Sequence, residues 1–111
     1  YVDSHTLTVK LIYLPINNEN DDILAFEDIN PMAKVHILII PKMHIPSADG
    51  VNAENSTYVS KVFEAVPVIA KEENLANGYR VITNIGEDGC QSVKHLHFHL
   101  LGGKKLSEQM D

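Results

Sequence analysis

His95-Leu96-His97-Phe98-His99-Leu100-Leu101 sets three histidines in strict alternation with large apolar residues near the end of a 111-residue chain. Such alternation predicts a half-buried strand over residues 95–101, with His95, His97 and His99 on one face and Leu96, Phe98 and Leu100 on the other. The apolar face is expected to feed a core. The three imidazoles, spaced roughly 6 to 7 Å along one row, are expected to meet one small ligand. Half of the chain's six histidines stand in this segment.

Immediately before it, Asn84-Ile-Gly-Glu-Asp-Gly-Cys-Gln-Ser-Val93 reads as a glycine-containing loop that offers amides and a hydroxyl next to the histidines. Tyr79 to Asn84 reads as the strand leading into that loop. Further back, Val59, Val62, Phe63, Val66, Ile69 and Ala70 recur at helical spacing, predicting one long amphipathic helix capped by Asn52 and running to Leu75. Pro67 lies inside that pattern, and Asn77-Gly78 is expected to stop and turn the chain. Val35 to Ile40 reads as a buried strand closed by Pro41 and interrupted by His36; Ile23 to Glu27 and Thr6 to Leu14 read as two more. About five strands around a single long helix point to an α+β fold, an antiparallel sheet with the helix packed on one side.

Length and composition set bounds on function. A chain of 111 residues fits one domain with one core, taken here as residues 1–111. The longest apolar run, Val35 to Pro41, is far too short to span a membrane, so no membrane association is expected. A formal charge of −6, with only Lys104 and Lys105 adjacent, excludes the basic stripe that nucleic-acid binding requires. The single cysteine, Cys90, allows no internal disulfide and points to the cytoplasm.

Three chemistries compete for the histidines. A metal ion is one, because two histidines of a His-x-His strand can share zinc or iron when a further ligand, such as His36, comes from elsewhere. Three ligands in line on one strand make a poor tetrahedron, however, and no carboxylate lies near the row in sequence. Nucleophilic attack at phosphorus is the second, with a neutral imidazole as nucleophile and a flanking imidazolium to stabilise charge or protonate a leaving group. For this chemistry the Gly86–Ser92 loop, with Gln91 and Ser92, supplies donors to phosphate oxygens. A protein-interaction module with little turnover is the third.

The same residues resemble the histidine triad (HIT) family, whose mark is His-x-His-x-His followed by two apolar residues. The likeness extends to LAFEDINP at Leu24–Pro31, VHILIIPKMHI at Val35–Ile45 and NGYRVITNIGEDGCQSVKHLHFHLLGG at Asn77–Gly103, most of the chain from Asp22 onward. Gly102-Gly103 and the short length resemble the Hint-like branch; His99 separates the chain from uridylyltransferase relatives. The resemblance implies a homodimer with two sheets joined, and cleavage of purine nucleoside 5′-phosphoramidates or related conjugates to the nucleoside monophosphate without a cofactor. It implies that His97 is the nucleophile and forms a nucleotidyl-histidine, and that His99 stands beside the leaving group. His95 would orient His97 through its backbone carbonyl with its own ring buried, and His36 would complete the polar network. Asn84 and Ser92 would contact the phosphate and leaving group beside Gln91, and Asp28 would grip the ribose hydroxyls.

Residues 1–21 depart from that pattern. Relatives open with Cys-x-x-Cys, and many bind zinc through those cysteines and the positions matching His44 and His95; here Val2 and His5 stand where the cysteines would. His5, His44 and His95 make one ligand fewer than the usual four, so no structural zinc is expected. Asp3 and Ser4 occupy a stretch that the resemblance assigns to an apolar base pocket.

Overall fold

The computed structural model describes Leu11–Tyr13 and residues 22–110. Among the described residues, five antiparallel strands form one sheet in the order β1-β2-β3-β5-β4. They are β1 (Leu11–Tyr13), β2 (Ile23–Glu27), β3 (Val35–Pro41), β4 (Tyr79–Ile82) and β5 (Phe98–Gly102). One helix, α1 (Ser56–Glu72), lies between β3 and β4 in sequence. The strand expected over Thr6–Leu14 is present at Leu11–Tyr13; the rest of that stretch, with Asp3, Ser4 and His5, lies outside the described residues.

Period two decides what each face carries. Ile23 and Ala25 of β2, Ile37 and Ile39 of β3, and Phe98 and Leu100 of β5 pack with Val62, Ala65, Val66, Ile69 and Ala70 of α1 in the main core. The alternate residues Phe26, Leu38 and Ile40 form a second, smaller apolar cluster. Strand β3 sits at the centre of the sheet, between β2 and β5, and is covered on both faces, which is why its run is almost wholly apolar. His36 is the exception. It pairs in register with Leu101, and Leu38 pairs with His99, so the alternation sends His36 and His99 to the face away from the helix.

The helix departs from expectation at both ends. Asn55, not Asn52, stands at the N-cap position, without a capping bond from its side chain. Asn52 instead heads the preceding turn, its side-chain oxygen accepting from the amides of Glu54 and Asn55 at 2.9 and 3.1 Å and its carbonyl from Ser56 at 2.9 Å. The helix ends at Glu72 because Asn74 turns left-handed (φ 61°) and the Leu75 amide closes back on Ala70 at 2.9 Å. Leu75 still reaches the core, which extends the apolar periodicity past the helix itself. Pro67 is accommodated on the exposed side of α1.

The largest correction falls on the histidine segment. Strand β5 begins at Phe98, not His95, and β4 stops at Ile82, short of the Asn84 expected. The backbone before Phe98 is tied elsewhere: the Leu96 amide donates to the Ile45 carbonyl at 2.6 Å, and the Thr83 hydroxyl donates to the His97 carbonyl at 2.8 Å. Thr83 thus leaves its ladder to hold the segment that carries the histidines.

Candidate active site

Because His95 lies outside the strand, the three imidazoles do not form a row. The His95 ring donates from Nε2 to the Pro41 carbonyl at 2.8 Å and meets His44 at 3.1 Å between the two Nδ1 atoms. His97 and His99 remain side by side, with ring centroids 5.1 Å apart. His36 joins them, its Nε2 lying 2.8 Å from His99 Nδ1, and Asp28 closes the group with Oδ2 at 3.5 Å from the same His36 nitrogen. These side chains come from β5 and the residue just before it, from β3 and from the turn after β2. The sheet register and the bond from the Asp28 amide to the His36 carbonyl, 2.9 Å, bring them together.

The hydrogen bonds fix which nitrogen of each ring carries a proton. A carbonyl only accepts, so the 2.7 Å contact of His97 Nδ1 with the His95 carbonyl is an N–H donation that leaves the ring's lone pair on Nε2. An amide only donates, so the Met32 amide, 3.0 Å from His36 Nδ1, forces the proton of neutral His36 onto Nε2. That Nε2–H donates to His99 Nδ1, which in turn places the proton of His99 on its own Nε2. Sequence reading missed Met32, Thr83 and Pro41 as partners, since all three act through contacts that no local motif marks.

Electrostatics favour neutral rings. Burial pushes His99 down to about 4, helped by the neighbouring His97 and His36 and opposed by Asp28. Burial also lowers His36 against the opposing pull of Asp28. The flanking imidazolium allowed by the sequence is therefore corrected: near neutral pH His99 is an uncharged donor.

The loop before the histidines is built rather than loose. Gln91 accepts from the Gly86 amide at 3.1 Å and donates to the Pro46 and Val93 carbonyls at 2.7 and 2.9 Å. Gln91 was expected to serve substrate; with both amide hydrogens committed, it clamps the loop instead. Asn84 is half-buried at the loop's start and Ser92 is exposed at its end.

The HIT domain model matches residues 14–106. The chain belongs to the HIT family. It is 42% identical over 111 residues to the 14 kDa zinc-binding protein of Zea mays, covering 95% of this chain and 87% of that one. It is 41% identical over 93 residues to the purine nucleoside phosphoramidase of Escherichia coli strain K12, covering 83% and 78%. Among solved structures, the HIT family hydrolase from Clostridium thermocellum superposes with a TM-score of 0.85 at 36% identity, covering 96% and 89%.

Two places in this HIT chain offer donors to a metal. His44 and His95 present two ring nitrogens 3.1 Å apart, close to the edge of a zinc tetrahedron with Zn–N of about 2.0–2.1 Å, and the Pro41 carbonyl orients His95 as an outer partner would. Among the described residues these two donors are half a structural site, and His5 lies outside those residues. Among the described residues, the one group of three possible ligands is Asp28, His36 and His99. There the Met32 amide keeps a proton on the His36 nitrogen that would have to bind the ion. Among the described residues, neither place presents the four donors of a tetrahedral site.

Proposed function

We propose that the chain cleaves purine nucleoside 5′-phosphoramidates, or related nucleotidyl conjugates, to the nucleoside monophosphate through a covalent intermediate on His97. It is a hydrolase of the HIT family, and the observation that carries the finer reading is the tautomer of His97, set by the 2.7 Å bond to the His95 carbonyl. In the first step Nε2 forms a bond to phosphorus and the bond from phosphorus to the leaving amine breaks, the amine departing with a proton from solvent. The ring becomes cationic, and the Nδ1–H bond to the carbonyl strengthens as it does so. In the second step water attacks phosphorus, the N–P bond breaks, and the monophosphate and a proton are released. The uncharged Nε2–H of His99 donates a hydrogen bond to the phosphoryl group or its leaving atom. Asn84 and Ser92 supply further donors, and Asp28 accepts the ribose hydroxyls.

The working unit under this reading is a homodimer of one HIT-like domain spanning 1–111, in the cytoplasm, with residues 1–21 diverging from relatives. In support, β4 is an end strand of the sheet, an edge that offers backbone groups to a second copy. No helix among the described residues is long and apolar enough to cross a membrane.

Incubation with adenosine 5′-phosphoramidate in the presence of a chelator is expected to release AMP at an undiminished rate. Binding without release would leave a nucleotide-binding module instead, and loss of release on chelation would bring back the metal.

The loop gives a sharper prediction. A Cβ on Gly89 would press on the Ile85 carbonyl oxygen and stand 2.8 Å from the Ile85 amide nitrogen, both backbone atoms that cannot yield. Gly89→Ala should therefore displace the loop holding Asn84, Gln91 and Ser92. A misplacement of about 1 Å costs up to about 100-fold, so kcat/KM is expected to fall about 10- to 100-fold. The melting temperature should move little, because the residues of this loop lie outside the main apolar core. Unchanged kcat/KM would detach the loop from the site.

A further inference from the structure

We propose that His36 couples recognition of the sugar to the reaction at phosphorus, by dividing its one Nε2 proton between Asp28 and His99. The inference rests on the proposed hydrolysis at His97 and goes further, assigning a role in turnover to a contact that would otherwise serve binding alone. His36 is in this view a positioning residue.

The geometry is a three-point relay. His36 is 5% exposed, and its Nδ1 is occupied by the Met32 amide at 3.0 Å, so the ring cannot shift its proton inward. Two acceptors face the remaining N–H, His99 Nδ1 at 2.8 Å and Asp28 Oδ2 at 3.5 Å. Asp28 is itself anchored, with Oδ1 accepting from the Asn30 amide at 2.8 Å, while its side chain keeps 19% of its surface accessible. The carboxylate is thus fixed in place, in reach of solvent and of His36 together.

A vicinal diol donating to this carboxylate spreads its negative charge and weakens its pull on the His36 proton. The His36 N–H then donates wholly to His99 Nδ1, which holds the hydrogen of His99 on Nε2, beside His97. With Asp28 open to water the bond to His99 is the shorter, 2.8 against 3.5 Å; beneath a bound sugar that lacks the diol, the carboxylate loses water without gaining donors, and it competes. His36 turns part of its hydrogen bond toward Asp28, His99 Nδ1 is released, and the opposite tautomer of His99, which has no donor at Nε2, gains population. Ribose hydroxyls should accordingly raise the rate of the bound complex as well as tighten it.

The test compares single-turnover rates of the full chain at saturating adenosine 5′-phosphoramidate and its 2′,3′-dideoxy analogue. Wild type is expected to react about tenfold more slowly with the dideoxy compound, the worth of one hydrogen bond in the transition state. In Asp28→Ala the competitor is gone, and the two saturated rates should agree within about twofold although KM rises. A purely structural Asp28 would not move that ratio. Nitrogen-15 spectra of the histidine rings give a readout independent of turnover: AMP should enrich the Nε2–H form of His99 over the level seen with 2′,3′-dideoxy-AMP. Equal saturated rates in wild type, a ratio that persists in Asp28→Ala, or identical tautomer populations would each overturn the coupling while leaving the hydrolysis intact. No AMP released from the ribose substrate would overturn the hydrolase reading and this inference with it.

Discussion

His97→Ala is expected to lower AMP release from adenosine 5′-phosphoramidate by at least about 10⁴-fold and to abolish the covalent adduct in the intact mass spectrum. The size follows from what the substitution removes. In the proposed mechanism the ring is the nucleophile, its orientation already fixed by the His95 carbonyl at 2.7 Å and its backbone held by the Thr83 hydroxyl at 2.8 Å. Water in its place must be ordered anew for every turnover, forfeiting the advantage of a held reactant. Nucleotide binding should survive, since Asp28 and the loop from Asn84 to Ser92 are untouched. His99→Ala is expected to cost less, because it deletes a hydrogen-bond donor and leaves the bond-forming atom in place. An adduct persisting in His97→Ala would move the nucleophile elsewhere; a loss no greater than that of His99→Ala would remove the covalent step.

How far the sequence revealed this site depends on which interaction places each residue. Where period-two alternation and burial agree, the reading was sharp: β2 runs from Ile23 to Glu27 as predicted, and Leu96, Phe98 and Leu100 face the core. Alternation also set His97 and His99 side by side, as the structure has them. It misjudged His95, because the pattern continues through residues whose backbone is not in the ladder. What turns the His95 ring away is the Pro41 carbonyl and His44, more than 50 positions earlier in the chain. The Asp28–His36–His99 group was equally invisible as a geometry. It exists only because β3 pairs with β5 in a register that sets Leu38 against His99 and His36 against Leu101. Gln91 illustrates the reverse case: a polar residue next to a motif looked like a ligand for substrate, whereas the loop needed it to hold Gly86, Pro46 and Val93 together. Local pattern reports which face a side chain takes, while partners are settled by tertiary contacts.

Acidification should destabilise the fold, and His99 should account for much of the loss between about pH 6.5 and 4. Its value is held at about 4 in the folded chain, against an ordinary 6.5, chiefly by burial and then by the neighbouring His97 and His36. Between those limits the unfolded chain binds a proton at this position and the folded chain does not. Stability therefore rises with pH across the window, is complete above 6.5, and is lost as pH falls toward 4, where the folded ring begins to take up the proton as well. At 1.36 kcal/mol per pH unit the full effect is about 3 kcal/mol, and partial solvent contact of His99 reduces it to on the order of 2 kcal/mol. His36, lowered by burial against the pull of Asp28, adds in the same direction. Urea unfolding at pH 7.5, 6.0, 5.0 and 4.5 reads the slope directly. Replacing the ring with an amide that cannot titrate, His99→Gln, should flatten that slope by the same amount, whatever the substitution does to stability at neutral pH. Parallel slopes in wild type and variant would mean that His99 accepts a proton as readily when folded as when unfolded. The same neutrality ties stability to chemistry: a ring that resists protonation down to about 4 can serve as an uncharged donor beside His97 across the range in which the enzyme is folded.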